Sequence, residues 1–109
     1  MDMNEYDKEV VELCKAMNLL PGITTIESCC GHGKRPYHIW FTAEGLLHLP
    51  RLIYYFDVCH CGFGGWRVIA HTDCGMSPAV FLVEGPVGED AYWQSEAIAQ
   101  LLRREMGQT

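Results

Sequence analysis

Two short segments of the sequence concentrate cysteine and histidine, the residue types that bind soft metal ions. The first is Cys29-Cys30-Gly31-His32, and the second is Cys59-His60-Cys61. Thiolate and imidazole groups suit Zn²⁺ in tetrahedral coordination, and such sites commonly take pairs of ligands from two separate loops. The sequence therefore predicts a zinc site whose ligands are Cys30, His32, Cys59 and Cys61.

The first loop could also bind an anion through its backbone. Gly31 and Gly33 permit conformations in which consecutive N–H groups converge, and two cationic side chains follow directly. The loop is not a Walker loop, because Arg35 stands where a serine or threonine would follow the lysine. The alternative interpretation is a hairpin turn with two solvated cations. The residues predicted to bind a small anionic ligand are Ser28, Cys29, Gly31, Gly33, Lys34 and Arg35.

A cysteine nucleophile is a third interpretation of this loop. His32 and the two cations would favour the thiolate form of Cys29 or Cys30, and Glu27 or Asp73 could orient the imidazole. The ordinary alternative is that the cysteines are small buried hydrophobes, as the helical spacing predicts for Cys14.

The first loop resembles a motif of a known enzyme family. Ser28-Cys29-Cys30-Gly31, preceded by Thr24-Thr25, is similar to the Ser-Ser-Cys-Ser-Gly-Arg motif of the wybutosine-synthesis methyltransferases. These enzymes methylate a tricyclic guanine base in phenylalanine tRNA. Glu27 and Cys30 stand where the family has serine, and His32 replaces its arginine. The resemblance implies an αβ fold with a functional first loop, and S-adenosylmethionine as a cofactor.

The longer segment Glu27 to Lys34, together with Ile39-Trp40-Phe41, also looks like small uncharacterised proteins of bacteria and their phages. That second resemblance implies no particular activity.

Composition limits the classes of function. The chain has 109 residues, of which 49% are hydrophobic, and this predicts one globular domain over residues 1–109. Fourteen acidic residues against eight Lys and Arg give a net charge of −6, which disfavours broad nucleic-acid binding. Residues 28–41 contain Lys34 and Arg35 and no acid, so a local anion site is still compatible with this charge.

Cellular location is predicted from the start of the chain and from its apolar runs. Met1-Asp2-Met3-Asn4-Glu5 is acidic where a secretory signal would be basic and then apolar. The sequence contains no run of about 18 apolar residues. We therefore expect a cytoplasmic protein without a membrane span, in which the cysteines are reduced thiols or metal thiolates.

Hydrophobic periodicity predicts a helix-strand-strand unit that occurs twice and is followed by a helix. Thr42 is the expected cap of the second helical stretch, which Pro50 should break and then restart. The Cys-Gly and Pro positions recur in both units, which suggests an internal repeat. The expected ranges are helix 4–18, strands 23–28 and 37–41, helical residues 42–56, strands 66–71 and 79–84, a helix from Asp90, and repeat units 4–41 and 43–84.

This order predicts an α+β sandwich of two layers, with a mainly antiparallel four-stranded sheet in a cyclic shift of the ferredoxin-like order. The end of the first strand and the start of the third would then lie at the same end of the sheet. Cys30 and His32 could approach Cys59 and Cys61 there. In the alternative, with the first and third strands parallel in the centre, His71 and Cys74 would join the first loop instead.

The sequence as a whole favours a domain that binds zinc or an anionic small ligand and forms a homodimer. The alternatives from other classes are a thiol-dependent or S-adenosylmethionine-dependent enzyme and a non-catalytic dimerising adaptor.

Overall fold

A computed structural model describes residues 8–44, 47–71 and 79–107 of the chain. In chain order the elements are α1 (Lys8–Met17), β1 (Ile23–Cys29), a 3₁₀ turn (Gly31–Gly33), β2 (Pro36–Ala43), α2 (Leu49–Phe56), α3 (Val58–Cys61), β3 (Arg67–His71), β4 (Ala79–Val87) and α4 (Asp90–Glu105). No helix of these ranges is both long enough and apolar enough to cross a membrane.

The four strands form one sheet in the order β1-β2-β4-β3, and every neighbouring pair is antiparallel. This is the cyclically shifted ferredoxin-like order, so the predicted α+β architecture is confirmed. Each helix-strand-strand unit contributes one outer and one inner strand. The interpretation of this symmetry as a sequence duplication stays a prediction.

One row of paired residues crosses the sheet where β1 ends and β3 begins. Cys29 pairs with His38, His38 with Glu84, and Glu84 with Arg67. The end of the first strand and the start of the third therefore lie at the same end of the sheet, as the sequence predicts. They nevertheless belong to the two outer strands, so two strands separate them.

Strand β2 shows how the sequence selects the buried face. Tyr37, Ile39 and Phe41 are fully buried under the helices, while His38 and Trp40 between them are half-buried on the other face. This alternation follows from the two-residue period of a strand. The helices cover one face of the sheet, and we call the other one the open face.

Some element boundaries differ from the sequence-based ones. Thr42 lies in β2 between Thr24 and Val80, because its β-branched side chain suits the ladder better than a helix cap. Helix α2 instead begins at Leu49, with Pro50 in its first turn as predicted. The 59–65 loop begins as the last turn of α3, and β4 continues to Val87. The linker 72–78, with Asp73 and Cys74, and the predicted cap Asn4 lie outside the described residues.

Trp66 packs into the core beneath the sheet. Its ring centroid lies 5.2 Å from that of Tyr37 and 5.7 Å from that of Phe56. Its indole N–H donates to Gln94 Oε1 at 2.8 Å, which fixes the ring against α4. The indole covers Gly85 of β4, where a side chain would have no room. Sheet, α2 and α4 are therefore joined through one aromatic ring.

Buried tyrosine and cysteine side chains with raised pKa values make the stability of this core sensitive to alkaline pH. Burial is the main reason why the pKa of Tyr37 and the pKa of the Cys14 thiol are raised, and it raises the pKa of Tyr55 to about 12. In the unfolded chain these groups ionise at about pH 8.5–10, so above that range the unfolded state binds fewer protons than the folded state.

We therefore expect the free energy of unfolding to fall between pH 9 and pH 11, by about 3 kcal/mol from the two tyrosines and by a further amount from Cys14. Urea titrations at pH 8, 9, 10 and 11 measure this change. The Tyr37→Phe variant loses the hydrogen bond from the phenol to Glu9 O, so it is less stable at neutral pH. Its stability should also change less with pH. Equal stability at pH 8 and pH 11 would contradict this account.

Candidate functional site

The Cys/His/Gly loop forms a tight turn between β1 and β2. Gly31, His32 and Gly33 all have left-handed backbone conformations, with φ of 82°, 53° and 78°. Among the described residues, His32 is the single non-glycine residue with positive φ. A side chain in this conformation costs on the order of 1–2 kcal/mol. The turn therefore holds His32 in a strained backbone position that places its ring near Cys30.

Two thiols of this turn accept backbone hydrogen bonds. The Gly31 N–H donates to Cys29 Sγ at 3.4 Å, and the His32 N–H donates to Cys30 Sγ at 3.4 Å. Cys30 is only 3% exposed, and its Sγ lies 3.7 Å from His32 Nδ1. These hydrogen bonds fix the positions of both sulfur atoms in the turn.

Tyr92 from the start of α4 closes the turn from the helical side. Its phenol lies close enough to the Cys30 side chain and to the Gly33 N–H to interact with both. Desolvation in its half-buried position is the main cause of the raised pKa of Tyr92. The hydrogen bond and the charge of Cys30 raise it further, while the Gly33 N–H lowers it. Cys30 therefore has an imidazole and a phenol as polar neighbours.

Ser28 does not lie on the surface of the turn. It pairs with Ile39, so its side chain shares the helix-covered face of the sheet. Its hydroxyl oxygen is enclosed and makes no hydrogen bond. It is close enough to Cys14 to lower the pKa of that thiol, although burial raises this pKa overall. The structure thus places this predicted ligand-binding residue in the packing of β1 against α1.

The backbone of the turn offers little to an anion. The N–H groups of Gly31 and His32 donate to thiols, and that of Gly33 lies beside the Tyr92 phenol. The N–H groups of Lys34 and Arg35 both donate to Gly31 O at 3.0 Å. An anion would therefore depend on the exposed side chains of Lys34 and Arg35 rather than on converging amides.

The structure brings Cys30 and His32 together and places Cys61 elsewhere. Within residues 8–44, 47–71 and 79–107, no group of three or more Cys, His, Asp or Glu residues could hold a metal ion. Cys61 Sγ bonds to the backbone of Phe63 and lines a hollow beside Leu101 and Arg104 on α4. The side chains of Cys59 and His60 and the whole of Cys74 lie outside the described part.

The two loops lie at different points along α4. Cys30 lies near the beginning of α4, beside Tyr92, whereas Cys61 shares a hollow with Leu101 of that helix. These two positions are nine residues apart, or about 13 Å along a helix. His71 lies at the far end of the sheet, where it pairs with Val80, so it does not join the first loop either.

Sequence reasoning identified Cys30 and His32 but missed Tyr92. In the sequence Tyr92 is one apolar position in an amphipathic helix, with no motif around it. Its contact with the turn exists because α4 returns over the sheet after β4. A side chain that reaches a site from 62 positions away leaves no local signal.

Comparison of the chain with models of protein families, with curated proteins and with solved structures finds no match.

Proposed function

We propose that this protein binds a soft metal ion, with zinc as the first candidate, through the Cys30 thiolate and Nδ1 of His32. The observation that carries the proposal is the 3.7 Å separation between Cys30 Sγ and His32 Nδ1. Bond lengths of about 2.3 Å for Zn–S and about 2.1 Å for Zn–N, at a tetrahedral angle, require about 3.6 Å between the ligand atoms. The two atoms are thus already spaced as ligands of one ion.

The surroundings of the pair support the same proposal. Metal thiolates are commonly held by hydrogen bonds from outside the coordination sphere, and such bonds fix the ligand and tune its basicity. Here the His32 N–H donates to Cys30 Sγ, and the phenol of Tyr92 lies beside the same side chain. The left-handed conformation of His32 directs its ring back toward the sulfur two residues earlier.

Two protein ligands leave coordination positions open. Cys59, which the sequence predicts as a ligand, is the candidate for one of them. Water or an anionic small ligand could occupy the others, and the exposed cations Lys34 and Arg35 follow the site in the chain. An open metal position would thus unite the metal and anion predictions for this loop.

The proposal is tested by titrating reduced protein, prepared without a metal-binding tag, with Co²⁺ and then displacing it with Zn²⁺. We expect one ion per chain and an absorption band of a cobalt–thiolate bond. His32→Gly should weaken metal binding by at least about 100-fold. Loss of a group that only hydrogen-bonds to a metal ligand lowers affinity about 10–100-fold, and loss of the ligand itself should cost more. Glycine relieves the backbone strain at this position, so the metal-free variant should be no less stable than the parent.

His38→Gln is the matched control, because it removes another imidazole close to the turn. His38 is half-buried on the open face, and its Nδ1 lies 3.3 Å from Pro36 O. Metal affinity should stay within about threefold of the parent for this variant. Absence of the cobalt–thiolate band at millimolar Co²⁺, with all thiols reduced, would exclude the proposed site.

A thiol-dependent enzyme is the second candidate, because 3.7 Å between sulfur and imidazole nitrogen also suits proton transfer from a cysteine nucleophile. The low exposure of Cys30 makes this less well supported, since a substrate would have to reach a covered sulfur. Rapid alkylation of Cys30 in metal-free protein, dependent on His32, would favour it. Thermal stabilisation by S-adenosylmethionine would in turn favour a methyltransferase of the kind that the loop resembles.

A further inference from the structure

A shallow hollow on the open face of the sheet lies close to the Cys/His/Gly turn. It has a volume of about 200 Å³ and is lined by Arg35, Pro36, His38, Trp40, Leu82 and Glu84. Sites for drug-sized ligands usually enclose about 300–1,000 Å³, so this hollow has room for a single ring system. It is separate from the metal site, because Cys30 lies under the helices.

The floor of the hollow is apolar and aromatic. Trp40 of β2 pairs with Leu82 of β4, so their side chains lie next to each other on the open face. The Trp40 ring makes an edge contact with His71, with 4.8 Å between the ring centroids, and this contact orients the indole. A planar ligand can therefore stack on an indole whose orientation is already set.

The rim offers a carboxylate oxygen to such a ligand. Nε and Nη2 of Arg67 both donate to Oε1 of Glu84. The ion pair thus holds the carboxylate in place through one oxygen. Oε2 is left to accept a hydrogen bond from an N–H group of a ligand.

The rim also offers a cation. The Arg35 side chain is exposed and has no ion-pair partner among residues 8–44, 47–71 and 79–107. A guanidinium group binds phosphate through two parallel hydrogen bonds. The hollow thus has an aromatic floor, and its rim carries one hydrogen-bond acceptor and one guanidinium group without an ion-pair partner in the described residues. Between them is space for one planar ring system.

We propose that this hollow binds a nucleoside 5′-monophosphate whose base carries an exocyclic amino group. The base stacks on Trp40, its amino group donates to Glu84 Oε2, and its phosphate pairs with Arg35. The net charge of −6 disfavours a long polyanion but acts weakly against one small ligand held by a local cation.

The test is calorimetric titration of the protein with guanosine and adenosine 5′-monophosphates, with a chelator present so that the metal site stays empty. Quenching of tryptophan fluorescence provides a second signal. We expect both nucleotides to bind and inosine 5′-monophosphate, which has a purine ring but no amino group, to bind about tenfold more weakly. Trp40→Phe should keep most of the binding and remove the fluorescence change, because the stacking ring remains while the reporting indole is gone.

Arg35→Gln and its neighbour Lys34→Gln form the matched pair of variants. Both side chains are exposed, so neither change should unfold the protein, and only Arg35 lines the hollow. Arg35→Gln should weaken nucleotide binding about tenfold without affecting guanosine, whereas Lys34→Gln should leave both unchanged.

Several outcomes would overturn the proposal. They are the absence of heat and quenching at millimolar nucleotide, equal effects of the two charge variants, and tighter binding of a single-stranded RNA than of the mononucleotides. Because the titration is carried out without metal, its failure would leave the metal proposal intact, and failure of the metal proposal would not affect this one.

Discussion

Replacing Cys30 with serine should lower the affinity for Zn²⁺ by at least about 100-fold, because the substitution removes the thiolate ligand. Serine keeps the shape of the side chain, and its oxygen can still accept the His32 N–H that now bonds to sulfur. The fold of the turn should therefore persist. Chelator competition measures the affinity, and urea unfolding of the metal-free protein shows whether the variant is folded.

Cys29→Ser is the control for this prediction. Cys29 is the adjacent thiol and also accepts a backbone N–H, but it pairs with His38 and so lies on the open face of the sheet. Its replacement should change Zn²⁺ affinity by less than about threefold. Loss of binding in Cys29→Ser to the same extent as in Cys30→Ser would show that neither thiol has the specific role assigned to it.

Replacing Gly85 with alanine should destabilise the protein by about 2–3 kcal/mol, because the added methyl group overpacks the core. A Cβ at this position would lie 2.7, 2.8 and 2.9 Å from three atoms of the Trp66 ring. The ring cannot move away easily, since Tyr37 and Phe56 pack against it and Gln94 accepts its N–H. Thermal unfolding should show a fall of Tm of roughly 10–20 °C for a domain of this size.

Gly64→Ala provides the comparison. A Cβ at Gly64 meets no atom within 4 Å, and its backbone does not have positive φ. Its effect should stay within about 0.5 kcal/mol, as for an ordinary surface substitution. If the two variants unfold at the same temperature, the packing of Trp66 on Gly85 is not what restricts this position to glycine.

Local sequence patterns account for most of the fold. The alternation in β2 selects Tyr37, Ile39 and Phe41 for the core, because side chains of a strand alternate between two faces. Pro50 starts α2 because the first helical turn needs no N–H from it. With two such helix-strand-strand units and a last helix, few arrangements can bury one face of the sheet, and the observed strand order is one of the two that the sequence left open.

The side on which each thiol lies was decided by an irregularity in β1. Its register shifts between Thr25 and Glu27, so Ser28 pairs with the buried Ile39 and Cys29 with His38. Uninterrupted alternation from Thr25 would have placed these two residues on the opposite faces. A β-bulge forms only when a strand pairs with its neighbour in the sheet. The residue types next to this bulge do not indicate its position.

The sequence by itself determined the element order, the buried face of β2 and the presence of a Cys/His/Gly turn, because these depend on neighbouring residues. Tertiary structure alone decided that Tyr92 reaches Cys30, that Cys61 does not, and that Trp40 lies beside Arg35 and Glu84. Each of these relations joins residues from different elements. Their distances follow from how the helices pack on the sheet, and spacing along the chain does not encode that packing.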